Sequence, residues 1–509
     1  MSDLQKLKWS WQELLVGAVK SVLCVEIDIT PEPAERILKR TLRKAQSILS
    51  NNERAAIARM FFGTICLRAR LAHIIHADFH TSDFAESTTN KSVGLVELLT
   101  AYKLLEEPRY FPHANANEPA SPWLDYAAYV LGFERVSLLT RTQSQFALEW
   151  PLPQIEYMCV FYSMPVWLTE TIAATYPSSK SRQNALAASL NQPARPVFRA
   201  NLAKTTRAAL AASLANLGIN CEPTLFSNAG LRVVGPEKPE IRNNALYRSG
   251  FFEVQDEGSQ LVSLATEGAD IYDNMVVVDM CCGRGGKALH LADMMRRGIL
   301  ICHDVDANTL RQAKARLEKA GVLNDSQLNI RFVSSSAAVN SQSSTVIHGG
   351  RGGDMSFLTP DQPTVNADSA ALQSAMNGVL ADIVLVDAPC SSLGTLRRGP
   401  NVRWEINPAN LPIFSILQQN ILQHAVSLVK PGGILVYATC TFNKQECGDI
   451  KQWFEDEYAE MFEPEPLFRE NVMRQLVGPD GDTMANSVQL TPSDHGTDAF
   501  FISKWKRKK

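Results

Sequence analysis

The chain has 509 residues, 45% hydrophobic and 20% charged, with a formal net charge of −3. That length exceeds one ordinary core and predicts two or three domains. No apolar run approaches the roughly 18 residues of a membrane span, and the first residues mix charge and aromatics too early for a secretory signal. The net charge excludes a basic field over the whole molecule, so any nucleic acid must be held by local positive charge. The expectation is a soluble, cytoplasmic, monomeric protein with no membrane partner.

Up to about residue 175 the pattern is helical. In "NNERAAIARMFFGTICLRARLAHII", Ile57, Met60, Phe61 and Ile65 share one helix face. His73 and His76 stand at i, i+3 without an acidic partner and read as packing or surface residues. From 176 to 248 the chain reads as a small α/β element, with the helix "TTRAALAASLANLG" starting near a Thr cap and closing on Gly218. From 249 to 509, apolar strands alternate with helical patterns: "MVVVDM", "ILICHDVD", "ADIVLVDAP" and "GILVYATC", with "AFFISKW" as a further strand. Such continuous apolar strands with helical connections predict a parallel, Rossmann-like α/β sheet covered on both faces. Between 334 and 381 a Ser-, Gly-, Asn- and Asp-rich stretch predicts a disordered insertion.

Ten cysteines are scattered along the chain without a C-x-x-C pair, which argues against a zinc knuckle or a disulfide framework. No metal is expected. Each thiol is therefore either packing or chemistry.

"VVVDMCCGRGGKALHL" runs strand, glycine turn, helix start, and Gly283, Gly285 and Ala288 fit G-x-G-x-x-A. The turn Cys281, Cys282, Gly283, Arg284, Gly285, Gly286 and Lys287 is the candidate cofactor cradle. Asp304, ending the next strand, is placed to accept hydrogen bonds from ribose hydroxyls. NAD and S-adenosylmethionine both carry a ribose. Asp279, at the mouth of the first strand, would repel a pyrophosphate and tolerate an ammonium or sulfonium, which favours S-adenosylmethionine. A turn-capping role for Asp279 stays open.

Cys390 in "DAPCSSLG" and Cys440 in "YATCTF" fall at strand ends, where open α/β sheets bind ligands. Two thiols and Asp387 facing an alkyl donor suit methylation of carbon 5 of a pyrimidine. That carbon is a poor nucleophile until a thiolate adds to carbon 6, which makes nucleophilic catalysis the natural route. The thiol needs thiolate character, and ring nitrogen 3 needs an acid, which a protonated Asp387 would supply.

These motifs resemble the Sun/Fmu group of S-adenosylmethionine-dependent RNA cytosine-5 methyltransferases. "GFFEVQDEGSQL", "DMCCGRGGK", "DAPCSSLGTLRRGPNVRW", "LVKPGGILVYATCTF" and "HGTDAFFIS" stand in the family's order across most of 245–505. The amino-terminal region, residues 1–175, resembles the NusB-like RNA-binding domain of the bacterial 16S ribosomal RNA enzymes, and "PVFRAN" resembles the linking segment. The resemblance implies that Cys440 is the nucleophile and that Cys390 assists product release. It makes Asp387 and Lys287 further catalytic residues, with Asp387 near the methyl group and base and also in contact with the cofactor. It makes ribosomal RNA the substrate, with transfer RNA as the alternative.

The turn departs from the family's usual C-A-A-P-G-G-K, Ser334 or Ser335 replaces an acidic residue after the third strand, and Gln445-Glu446-Cys447 stands where Glu-Glu-Asn is common. Candidate RNA contacts are Arg199, Asn201, Arg397, Arg398, Arg403 and Trp404, by phosphate pairing and base stacking. An NAD-dependent oxidoreductase would share the turn and Asp304 but has no use for paired thiols. A non-catalytic RNA-binding or ribosome-assembly protein on the same fold would explain the departures, but not the presence of Cys390, Asp387, Cys440 and Lys287 together.

Overall fold

The computed structural model describes residues 154–235, 239–266, 274–295, 297–334, 371–400, 402–479 and 481–509. The NusB-like reading of the amino-terminal region therefore falls almost entirely outside the described residues. The chain divides into one unit of residues 1–192 with 398–406, and another of 193–397 with 407–509.

In the first unit the described part is helical: Gln154–Phe161, Val166–Thr175, Lys180–Leu190 and the short Val402–Glu405. Arg403 holds this unit together from inside. It is 0% exposed and donates to Asn191 Oδ1 at 2.6 Å, Leu190 O at 3.3 Å and Pro400 O at 3.0 Å. Buried guanidinium groups persist only when their donors are matched in this way.

The second unit begins with strands β1 (Val197–Ala200), β2 (Cys221–Pro223), β3 (Gly230–Val233) and β4 (Phe252–Val254), in the order β2-β3-β1-β4 and antiparallel throughout. The helix Arg207–Ala215 starts where Thr206 accepts the Ala209 N–H, and its Leu210 and Leu214 join Phe198, Leu231 and Phe252 in a small core. β4, at 252–254, thus pairs into this small sheet beside β1.

The large sheet follows: β5 (Met275–Asp279), β6 (Gly298–Asp304), β7 (Leu328–Ser334), β8 (Ala381–Asp387), β9 (Val429–Thr439), β10 (Phe462–Pro464), β11 (Ser487–Leu490) and β12 (Phe500–Arg507). The order is β10-β12-β9-β8-β5-β6-β7, with β11 pairing β12. Strands β5 to β9 are parallel, whereas β12 runs antiparallel to β9, β10 and β11. Alternate residues feed opposite faces. Val277, Ile383, Leu385, Val436 and Ala438 pack on one side, and Val278, Val384, Val386, Leu435 and Tyr437 on the other. Burial of both faces is why these strands read as unbroken apolar runs.

Two expectations change. Residues 371–375 of the expected disordered stretch are helical, and Leu372 and Met376 are buried in the core beneath β8. "VKPGG", whose Pro-Gly-Gly reads in the sequence as a tight turn ahead of the strand, is part of β9 itself, where the register against β8 shifts and Gly432 takes φ 78°. Among the described residues, no helix is long and apolar enough to cross a membrane.

Candidate active site

The strand order reverses between β5 and β8, and a ligand crevice opens at the carboxyl ends of the strands at such a switch point. Asp279, Asp304 and Asp387 end β5, β6 and β8, and Cys440 directly follows β9. All of them lie in the second unit.

The turn after β5 is shaped by its glycines. Gly285 takes φ 75° at the start of the helix Gly286–Met294, and a Cβ there would come within 2.9 Å of the Ala313 methyl. The turn thus needs a left-handed residue with no side chain. Cys282 is 5% exposed and packs inward, so it offers the cradle only backbone, while Arg284 is exposed. Asp304 is fixed from below: Gly283 N–H donates to Oδ2 and Asp306 N–H to Oδ1, both at 2.9 Å. Each oxygen retains a lone pair for a ribose hydroxyl.

Asp279 is 0% exposed, and its carboxylate has no side-chain hydrogen-bond partner, only the backbone of Cys281 beside it. Burial, then the neighbouring charge of Asp387, pushes its pKa from the ordinary 3.8 to about 8, against the pull of Lys287. Lys287 Nζ lies 2.5 Å from Asp387 Oδ2 and 5.3 Å above the centre of the Phe500 ring. Burial alone would lower the Lys287 pKa, but the Asp387 carboxylate outweighs it and holds the ammonium charged. Asp387 is thus ion-paired with Lys287.

With Asp279 keeping its proton to about pH 8, the Asp304 and Asp387 carboxylates around one ammonium still leave negative charge, which suits a cationic ligand and disfavours a pyrophosphate. A ligand ammonium beside Asp279 would favour its ionised form and pair with it, and ribose hydroxyls would take the open acceptor positions of Asp304. The residues present thus fit S-adenosylmethionine.

The two thiols come together. Cys390 Sγ is 3.3 Å from Cys440 Sγ, and Cys440 Sγ is 3.4 Å from Ser392 Oγ. Their acidities diverge. The hydrogen bond with Cys390 lowers the Cys440 pKa, with help from Ser392 and Lys287 and against burial and Asp387. The same bond, burial and the charge of Glu446 raise the Cys390 pKa well above the thiol range. Within the pair Cys440 is therefore the more acidic thiol, and Cys390 the one that holds its proton more tightly. Ser392 adopts φ 57°, a left-handed conformation uncommon for serine, and redirects the chain just after Cys390. Gly394 N–H donates to the Cys440 carbonyl at 3.0 Å, and a Cβ on Gly394 would fall 2.8 Å from that oxygen. The loop is pressed onto the strand by backbone contact.

The six candidate RNA contacts divide. Arg199 is 2% exposed, donates to Gln255 Oε1 at 2.7 Å and pairs with Asp293. Asn201 is 4% exposed and donates to the carbonyls of Gly250 and Ala320. With Arg403, these are internal groups that hold backbone and carboxylate in place, and they are not available to a phosphate. Arg397 is half-buried and donates to the carbonyls of Gly496 and Thr497, while Arg398 is exposed. The side chain of Trp404 lies outside the described residues.

Residues 358–506 match the family described as 16S rRNA methyltransferase RsmB/F, and residues 164–238 match an RsmF/B-like, ferredoxin-like methyltransferase domain. The chain is 28% identical over 351 residues to the probable ribosomal RNA small subunit methyltransferase B of Synechocystis, covering 68% of this chain and 67% of that one. It is 28% identical over 320 residues to the Bacillus subtilis protein of the same name, covering 62% and 60%. It is 26% identical over 371 residues to the human 28S rRNA (cytosine(4447)-C(5))-methyltransferase, covering 69% and 38%. Thus it spans less than two thirds of the length of some of these relatives. The fold is shared with the solved structure of PH0851, at TM-score 0.62 and 19% identity, covering 97% of this chain and 98% of that one. It is also shared with a methyltransferase homologue from Pyrococcus horikoshii, at TM-score 0.51 and 23% identity, covering 70% and 100%.

Proposed function

We propose that this chain, whose residues 164–238 and 358–506 match RsmB/F-family methyltransferase models, methylates carbon 5 of a cytosine in ribosomal RNA. When bound, S-adenosylmethionine supplies an electrophilic methyl group. The turn 281–287, Asp279 and Asp304 would hold it, with Asp279 taking the ammonium and Asp304 the ribose.

The observation that carries this reading is the pair of thiols at 3.3 Å with opposed acidities beside Lys287 and Asp387. The Cys440 thiolate adds to cytosine carbon 6, forming a C–S bond, and the displaced ring electrons make carbon 5 nucleophilic. Lys287 and Asp387 hold a proton at the edge of the ring, where charge builds on nitrogen 3. After carbon 5 is methylated, its proton is taken up by solvent water. The electron pair of that C–H bond rebuilds the ring double bond, and the C–S electron pair returns to Cys440. Cys390, held as a thiol against Cys440, is placed to serve this release. The NusB-like reading of residues 1–175 supports ribosomal RNA over transfer RNA. The need for two reduced thiols fits a cytoplasmic setting.

The test incubates the protein with labelled S-adenosylmethionine and ribosomal RNA, comparing wild type with Cys440→Ala and Cys390→Ala. Cys440→Ala is expected to give no methylation. Cys390→Ala is expected to accumulate a protein–RNA adduct that survives denaturation. Full methylation by Cys440→Ala would overturn the assignment of the nucleophile.

A further inference from the structure

Glu446 lies outside every motif to which a role has been given, yet its carboxylate is among the most buried charged groups in the second unit, at 0% exposure. A carboxylate carried into the interior costs several kcal/mol unless its lone pairs are filled. Here they are filled by groups around Cys390. Ser391 N–H donates to Oε2 at 2.8 Å, Gln418 Nε2 to the same oxygen at 3.1 Å, and Asn443 Nδ2 to Oε1 at 3.4 Å.

Gln418 Nε2 also donates to the Pro389 carbonyl at 2.9 Å. The carbonyl before Cys390 and the amide after it are thus gripped by one Gln–Glu pair. Ser391 Oγ and Thr441 Oγ1, 3.0 Å apart, then join the residue after Cys390 to the residue after Cys440. Glu446 is itself tied to β9, since Tyr437 Oη donates to its carbonyl at 2.8 Å.

We propose that Glu446 is a positioning residue for Cys390: with Gln418 it fixes both peptide groups flanking that thiol and thereby sets the step that releases methylated cytosine from Cys440. The assignment rests on the methyl-transfer reading above. Glu446 touches neither thiol by a hydrogen bond and reaches Cys390 through the flanking backbone and through its charge. Its loss should therefore spare attack by Cys440 and slow the later breaking of the C–S bond.

Single-turnover reactions that separate adduct formation from product release provide the test, using wild type, Glu446→Gln, Gln418→Ala, Cys390→Ala and the double variant Cys390→Ala/Glu446→Gln. In Glu446→Gln, formation is expected to stay near the wild-type rate while release slows about tenfold. Gln418→Ala should move release in the same direction, and it carries the test if Glu446→Gln folds poorly. The double variant should release no more slowly than Cys390→Ala alone, because a residue acting through Cys390 has nothing left to position. Equal slowing of formation and release, or a further loss in the double variant, would overturn the positioning role. A normal adduct with unchanged release in both single variants would also overturn it, and it alone. Methylation with no Cys440 adduct in any variant would overturn the covalent reading of function, and this proposal with it.

Discussion

Lys287 Nζ and Asp387 Oδ2 stand 2.5 Å apart, so the helix after β5 is joined to the end of β8 by an ion pair whose side chains are only 12% and 25% exposed. Removing the ammonium leaves Asp279, Asp304 and Asp387 facing one another with no cation among them. Lys287→Met is expected to lower kcat/KM at least about a hundredfold and to cost about 3 kcal/mol of stability, as broken buried pairs do. Initial rates and urea unfolding check the two effects separately.

Asp279 gives a pH dependence whose sign follows from its raised pKa. Unfolded, the carboxyl loses its proton near 3.8, whereas folded it keeps it to about 8. Between those values the folded chain binds more protons, so each rise in pH disfavours folding. The contribution is full below about pH 4 and is lost as pH approaches 8. Asp279→Asn should therefore unfold at higher urea than wild type at pH 8.5, with the gap closing towards pH 4. The same variant should bind S-adenosylmethionine more weakly in calorimetry, because the ligand ammonium loses its carboxylate.

The thiol pair predicts selective alkylation. With Cys440 the more acidic of the two thiols, iodoacetamide should modify it first, with a rate profile inflecting below that of an ordinary thiol. Cys390, at 1% exposure, should resist under the same conditions. Peptide mass mapping across a pH series reads both positions. Equal labelling of the two would contradict the proton assignment.

Arg199 separates a structural group from an RNA contact. Its guanidinium pairs with Asp293, a carboxylate only 4% exposed, and truncation strands that charge. Arg199→Ala should destabilise the protein by about 3–5 kcal/mol. The salt dependence of RNA binding should not change, whereas loss of a phosphate contact would reduce the slope by nearly one counterion. Unfolding curves and a salt titration of RNA affinity give the two readings.

The strands of the large sheet were legible because both of their faces are buried, so Val276–Val278 and Ile383–Val386 carry an apolar signal that solvent does not interrupt. The cofactor turn was legible through Gly283 and Gly285, whose backbone angles few other residues adopt. The environment of the site was not. Nothing local marks Gln418, in the middle of the helix Leu411–Leu428, as the partner of the Pro389 carbonyl. Arg199 and Arg403 looked like phosphate contacts because charge is usually exposed, and only tertiary packing reveals that their partners lie inside. Leu372 and Met376 sit at the end of a polar stretch whose composition hides the short helix they anchor.

Strand β12 has a consequence for the order in which this molecule is made. It lies between β9 and the pair β10 and β11, aligning Phe501 with Thr439 and Lys506 with Ile434. The strand leading to Cys440 therefore lacks one of its two neighbours until residues 500–507 have left the ribosome. Until then a nascent chain presents an open sheet edge, the kind of surface that chaperones shield. The strand that ends at Cys440 is among the last parts of the sheet to be completed.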